Sequence, residues 1–410
     1  MEYSEGKAAT ITSDAVWPAL GYETLDWIIE PGLSMSNTAR RRHDQPYDAA
    51  ITPSIADIAP MIGAEVFAAA EEASVAIVRF DTQFGDRIVP FSSILLRSES
   101  TASSRIEQLT ATAKAIALAE LGDGSRTNAT MIVSNARAME AAIDLADRLD
   151  TNSIIEMQAA LLGDEHPEWV GKWRDSQVWI GGRRYGPHGS AFTPPHHDRV
   201  PAAMDDLVAF AGRDDILALA HAALVHAQFE TIHPFPDGNG RTGRAIIHAL
   251  LRRRGMTRNV TVPISAGLLV DVDAYFDALG DYRQGNIEPI IEQMTDAAFT
   301  AIDNATDMLS DLDAISAEWR NRIIARSDST VWRLVELLVR QPAVNSNAVE
   351  EALEVSRPAA LNAIGKLEDA GVLVKARGQE RNRAWIAVDV VAALDRFAEA
   401  GGRRARPPAG

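Results

Sequence analysis

Cysteine is absent from this chain, which excludes disulfides and thiolate metal centres and removes any reason to place it in an oxidising compartment. No apolar run approaches the length that spans a bilayer, and the first thirty residues lack the basic start and apolar core of a secretory leader. Positive charge is scarce: 40 Lys and Arg against 57 Asp and Glu give a formal net charge of -17. That balance argues against a surface that tracks nucleic acid or anionic membrane as a whole, while leaving room for a local basic patch. Internal repeats and the G-x-x-x-x-G-K-[ST] phosphate loop are missing too. What is present, 46% apolar and 24% charged residues, is the composition of a soluble globular protein. At 410 residues two or three domains are expected, in the cytoplasm and without membrane association.

Residues 1–46 are polar, are broken by Pro18, Gly21, Pro31 and Gly32, and read as an irregular arm with one short element at most. Residues 47–126 read as a helical segment, with apolar residues at helical spacing over Ile51–Glu72 and a second helical block over Ser98–Gly122. Residues 127–300 alternate helical patterns with loops. One loop, Asp175–Met204, has a short β-like run, paired glycines and Pro194-Pro195, as in a hairpin lying outside the core. A helical linker is expected over 301–326. Over 327–390 the pattern is three helices and then two strands joined by a basic turn, the order of a winged helix-turn-helix, with Ser356 capping the would-be recognition helix. A disordered tail is expected over 391–410, ending in GGRRARPPAG.

The chemistry concentrates in HPFPDGNGRTGR, His233–Arg244, which follows a largely apolar helix over 214–232. Gly238-Asn239-Gly240 precedes a helix beginning near Arg241, so unpaired N–H groups and the positive end of the helix dipole face whatever lies over the turn. Arg241 and Arg244, three residues apart, reach one side of that first turn. Cations there oppose the dipole, so a polyanionic ligand is the economical explanation. Asp237 is a hard oxygen donor suited to Mg²⁺ shared with phosphate. His233 titrates in the range of a general base. This is not an EF-hand, because Arg241 and Thr242 stand where an oxygen ligand and the turn glycine belong.

These residues resemble the signature of the Fic family, His-x-Phe-x-(Asp/Glu)-Gly-Asn-Gly-Arg-x-x-Arg, at every defined position. The resemblance spans roughly residues 47–300, with Val178–Pro195 similar to the family's target-holding flap and Ala274–Ile291 similar to the segment that closes its core. It implies a mainly α fold: a Fic-like helical core with a small β-hairpin flap, plus a C-terminal winged helix. It also implies transfer of AMP from ATP to a Ser, Thr or Tyr hydroxyl of a target protein. His233 would be the base, Asp237 the Mg²⁺ ligand, and Gly238, Asn239 and Gly240 the phosphate cradle. Arg241 and Arg244 would neutralise the β- and γ-phosphates, and Phe235 would anchor the loop. Ser103–Gln108 is similar to the family's inhibitory motif, (Ser/Thr)-x-x-x-Glu-(Gly/Asn), so that Glu107, supported by Ser103, would pair with Arg244 and restrain activity. Gln108 stands where Gly or Asn is usual.

The same cradle serves removal of AMP from a modified protein, with Glu107 orienting water, or transfer of another phosphate-containing group. A reading from another class is a DNA-binding regulator whose core senses a nucleotide or binds a partner. Self-modification, a homodimer, and DNA contact through the winged helix are partner expectations. His221, His226 and His248 read as packed or surface groups. His188, His196 and His197, in the flap region, carry a metal reading that lacks a carboxylate at convincing spacing.

Overall fold

The computed structural model describes residues 17–29, 36–85, 91–182, 185–376 and 383–401. Strand β1 (Gly21–Leu25) pairs antiparallel with β2 (Tyr47–Ile51), Gly21 opposite Ile51 and Leu25 opposite Tyr47, around a short helix α1 (Asn37–His43). The arm is therefore less irregular than its polar composition predicts. Ala49 and Ala50 are buried, and Ala50 N donates to the flap residue Thr193 at 3.1 Å, so long-range pairing supplies the order.

The helical body follows: α2 (Ala64–Gly85), α3 (Phe91–Ile106), α4 (Ala113–Glu120), α5 (Thr127–Asp144), α6 (Thr151–Leu162), α7 (Val200–Ala211), α8 (Ala218–Ile232) and α9 (Asn239–Arg253). Then come α10 (Ile264–Leu268), α11 (Val272–Arg283) and α12 (Glu288–Arg322). Helix α8 is largely apolar and buried from Leu219 to Ile232, so it must be covered on every side. Helices α2, α7, α9, α11 and α12 provide that cover. The expected helix over Ile51–Glu72 begins only at Ala64: Pro60 and Gly63 interrupt the periodic run, and the helix continues to Gly85. Helix α12 is a single 35-residue helix, so the expected core end at 300 falls inside it and the linker is continuous with the core.

The block read as one helix over Ser98–Gly122 is two. Helix α3 ends at Ile106, and Gln108 turns the chain with a left-handed φ of 62° before Thr112 caps α4 through Ala115 N at 3.2 Å. Helix α3 carries unusual buried polarity. Glu99 accepts from Ser265 N at 2.8 Å and from the Ser265 hydroxyl, and lies 2.9 Å from His248 Nε2. Asn135 donates to Ser100 O at 2.9 Å and Ser104 Oγ at 3.1 Å. These bonds pin α3 across α5, α9 and α10 and fix the position of the residues just beyond its end.

At the carboxyl side, α13 (Thr330–Arg340), β3 (Ala343–Asn345), α14 (Ser346–Leu353), α15 (Arg357–Asp369), β4 (Val374–Lys375), β5 (Ala384–Ile386) and α16 (Val388–Ala400) form a unit whose sheet order is β3-β5-β4. Ser356 stands at the N-cap of α15 but makes no side-chain capping bond. The basic turn over 377–382 lies outside the described residues. The disordered tail expected from 391 is corrected: α16 runs to Ala400 because Val390, Val391, Ala393, Leu394 and Phe397 form a buried face; residues 402–410 lie outside the described residues. This helix lies on α3 and α4. Arg105 Nη1 donates to Ala398 O, Asp395 Oδ1 accepts from Ala113 N at 2.9 Å, and Arg97 bonds both Glu120 and Arg340 O.

Candidate active site

The site is built from the turn between α8 and α9. His233 ends α8 in a left-handed conformation, φ 51° and ψ 62°, an uncommon state for a residue with a side chain. Two bonds close the loop over the next residues: Asn239 Oδ1 accepts from Phe235 N and Asn239 Nδ2 donates to Phe235 O, each at 2.8 Å. Phe235 is fully buried, its ring centroid 5.0 Å from that of Trp173 and 6.3 Å from that of Phe229. Gly238 has a φ of 80°, and a Cβ there would lie 2.8 Å from Leu161 Cδ2, so both conformation and space demand glycine. Asp237 Oδ1 accepts from Gly238 N at 2.7 Å, and its side chain is half-exposed.

Arg241 and Arg244 follow in the first turns of α9, exposed by only 3% and 1%. Arg244 Nε donates to Ser103 Oγ at 2.9 Å, and Nη2 donates to Ser103 O at 2.8 Å and Glu107 Oε1 at 3.0 Å. A methyl group on Gly240 would overlap that same Glu107 oxygen, so the carboxylate rests on the backbone at the amino end of α9. The protein's own anion thus lies in the hole predicted for a polyanion. Burial would raise the Glu107 carboxyl, but Arg244, with Arg241 and His233 farther off, outweighs it and holds the group below the ordinary carboxylate range. Arg241 is supplied differently: Nε and Nη1 lack a hydrogen-bond partner among the described residues, and Asp237 Oδ2 is 3.7 Å from Nη2.

His233 is pushed down to about 4, first by burial and then by the Arg174 cation, so its ring is neutral at neutral pH and free to take a proton. Three residues outside the sequence-derived set shape this corner. Arg174 donates through Nε to His233 O at 2.9 Å, through Nη1 to Ser176 O at 2.9 Å and through Nη2 to Pro195 O, tying the histidine's backbone to both ends of the flap region. Arg283 lies over the Phe192 ring at 3.8 Å. Glu230, on the last turn of α8, places Oε2 3.8 Å from His233 Nδ1. The one acidic residue in a largely apolar helix was a readable signal for Glu230; the two arginines carried none.

Among the described residues the flap is held by one antiparallel bridge, Ile180 with Phe192, rather than a paired hairpin. Gly181, Gly182, Gly186 and Gly189 all take positive φ between or beside these residues, which breaks the extended backbone a longer ladder needs. His188 turns away to Gln45 O at 2.7 Å. His196 and His197 lie together with Asp198, their ligand atoms within 4.8 Å of one another, so the adjacent carboxylate supplies the acidic partner the sequence spacing did not suggest. His221 and His226 are packed residues, bonded to Phe210 O at 2.9 Å and Tyr275 OH at 2.7 Å.

For a divalent cation, the local donor set is one carboxylate, Asp237, with an outward oxygen only loosely engaged by Arg241. That fits Mg²⁺, which commonly takes one or two carboxylates and completes its shell with phosphate oxygens and water.

The Fic/DOC family model matches residues 148–251. The chain is 29% identical over 140 residues to protein adenylyltransferase fic-1 of Caenorhabditis elegans, covering 33% of this chain and 26% of that protein. It is 29% identical over 152 residues to protein adenylyltransferase Fic of Nematostella vectensis, covering 36% and 32%. The matched part spans about a quarter to a third of those relatives. A crystal structure of a Fic family protein from Desulfovibrio desulfuricans G20 superposes with a TM-score of 0.51 at 20% identity, over 82% of this chain and 98% of that one. That likeness speaks for the mainly helical fold alone.

Proposed function

With residues 148–251 matching the Fic/DOC family model, we propose that the protein is a Mg²⁺-dependent adenylyltransferase, moving AMP from ATP to a Ser, Thr or Tyr hydroxyl of a target protein and restrained at rest by Glu107. The observation that carries this reading is the pairing of a neutral, partly exposed imidazole, His233, with Arg241, a buried cation whose Nε and Nη1 lack partners among the described residues at the amino end of a helix. A base without an electrophile site, or an anion hole without a base, would support binding only; together they support attack on a phosphate. The adenylyltransferase relatives agree with this choice of group.

In the proposed reaction His233 takes the hydroxyl proton as the oxygen attacks the α-phosphorus. The N–H groups of the Gly238–Gly240 turn and Arg241 hold the phosphates, and positioning and charge stabilisation do most of the work. Asp237 would hold Mg²⁺, which supplies charge neutralisation at the phosphate oxygens. Glu107 occupies Arg244, so a phosphate that needs this guanidinium must displace the carboxylate. The C-terminal unit, read as a winged helix, is proposed to contact either DNA or protein, a second copy of the chain among the protein partners. No helix among the described residues is long and apolar enough to cross a membrane.

Intact-mass spectrometry tests the proposal. Purified wild type, Glu107→Gly and Glu107→Gly/His233→Ala are incubated with ATP and Mg²⁺, alone and with cell extract supplying targets. An AMP-sized adduct strongest on Glu107→Gly and lost in the double variant is expected. Equal transfer by wild type and Glu107→Gly would overturn the restraint, and transfer without His233 would overturn its role as base.

A further inference from the structure

Glu230 sits where a carboxylate is hard to justify structurally. It is 6% exposed, in the last turn of a largely apolar helix, at the end where the dipole favours cations. Its Oε1 has no hydrogen-bond partner among the described residues, while the His233 ring is faced by the Glu230 backbone carbonyl, which favours its protonated form. Glu230, in the last turn of α8, and His233, the left-handed residue that caps it, bring Oε2 to 3.8 Å from Nδ1. Space for the carboxylate comes from Gly243, between the two arginines of α9: a Cβ there would lie 2.7 Å from Glu230 Oε1 and 3.1 Å from His226 Nδ1.

We propose that Glu230 is a positioning residue for His233: its backbone carbonyl and its carboxylate both face the Nδ1 side of the ring, and the carboxylate stabilises the imidazolium formed when Nε2 takes the target's proton. This rests on the transfer reading above. The hydroxyl oxygen bonds to the α-phosphorus, the bond from that phosphorus to pyrophosphate breaks with its electron pair leaving on pyrophosphate, and the hydroxyl proton passes to Nε2. Glu230 keeps its charge throughout and acts only through the ring.

The arrangement makes activity depend on the state of Glu230. It is faced by Arg244 from α9, Arg283 and Tyr275 from α11, Glu107 from beyond α3, and His226 and His233 from its own helix, while Arg174 faces His233. Burial dominates over the attraction of Arg244 and pushes the group up to about 7. Below that pH Glu230 is neutral and leaves the imidazolium unsupported; above it the carboxylate is charged. The turnover rate therefore rises with pH through this region. Removing the negative Glu107 moves the limb downward.

The test compares kcat and the KM for ATP from about pH 5.5 to 9 in Glu107→Gly, Glu107→Gly/Glu230→Gln and Glu107→Gly/Glu230→Asp. The parent should show the rising limb. Gln should remove the limb and drop the high-pH plateau by about 10- to 100-fold with the KM for ATP little changed, and Asp should restore part of it. A second measurement needs no turnover: the ring ¹⁵N resonances of His233 should move as Glu230 titrates, without becoming those of an imidazolium, and Gln should abolish that movement. An unchanged limb and plateau in the Gln variant, a loss confined to KM, or His233 resonances indifferent to the Gln substitution would each overturn the proposal. If the Glu107→Gly parent forms no AMP adduct at any pH, adenylylation is what fails, and the ¹⁵N titration alone decides whether Glu230 governs His233.

Discussion

The two ends of the cradle at the start of α9 differ although their cations are equally hidden. At the Arg244 end every contact comes from the chain itself: the Ser103 hydroxyl, the Ser103 carbonyl and the Glu107 carboxylate. At the Arg241 end Nε and Nη1 lack partners among the described residues, and the nearest carboxylate, on half-exposed Asp237, is 3.7 Å away. Buried guanidinium N–H groups without acceptors are costly, and a bound anion would offset that cost. Under the proposed function, the difference teaches where a phosphate would meet open ground and where it would have to compete. In the proposed function Arg241 waits for the substrate, while Arg244 is held by a stand-in for it.

The strongest way to break this contrast is to remove the open end. On the Glu107→Gly background, Arg241→Ala should lower the initial rate of AMP incorporation by about 10²–10³-fold, the usual cost of losing a donor aimed at developing charge. A rate within twofold of the parent would place the phosphates elsewhere. Opening the closed end has the next largest effect: Glu107→Gly alone should raise transfer by about 10- to 100-fold, matching a charge-assisted bond of about 1.5–3 kcal/mol. Smaller again is Arg105→Ala. Arg105 lies two residues before Glu107 and bonds Ala398 O on α16, so its loss should let the end of α3 fray. For one bond of about 1 kcal/mol, basal transfer should rise about fivefold, and no rise would uncouple α16 from the restraint.

How much of this was legible follows from the range of the interactions. The cradle could be read from one stretch because it closes on itself: Asn239 bonds Phe235, four residues away, and the glycines are demanded by the turn. Glu107 and Arg244 are 137 residues apart, and only resemblance joined them in the sequence; spacing alone holds no trace of the pairing. The pairing of β1 with β2 was hidden for the same reason, since five-residue strands on a polar arm are fixed by partners elsewhere. Arg174 and Arg283 were invisible because a buried arginine looks like a surface one until its neighbours are known. Apolar spacing correctly indicated helix on both sides of Gln108 but could not register one left-handed residue between them.

That residue provides the finest test of the closed end. Gln108 has a φ of 62° directly after Glu107, at the position where the resembling motif usually has Gly or Asn. Those are the residues that tolerate a left-handed backbone, so the preference follows from the turn that aims Glu107 at Arg244. Gln108 makes the turn at a conformational cost, and Gln108→Gly should relieve about 1 kcal/mol of it. Thermal unfolding should rise by a degree or so to a few, depending on the cooperative unit, and basal transfer should stay at or below wild type because the inhibitory turn is better populated. Gln108→Val should do the reverse, since a β-branched side chain resists this φ and would force Glu107 off Arg244. If Gly raised transfer instead, the backbone freedom it adds would outweigh the strain it removes, and the closed end would owe its hold to the stiffness of Gln108 rather than to the carboxylate's fit.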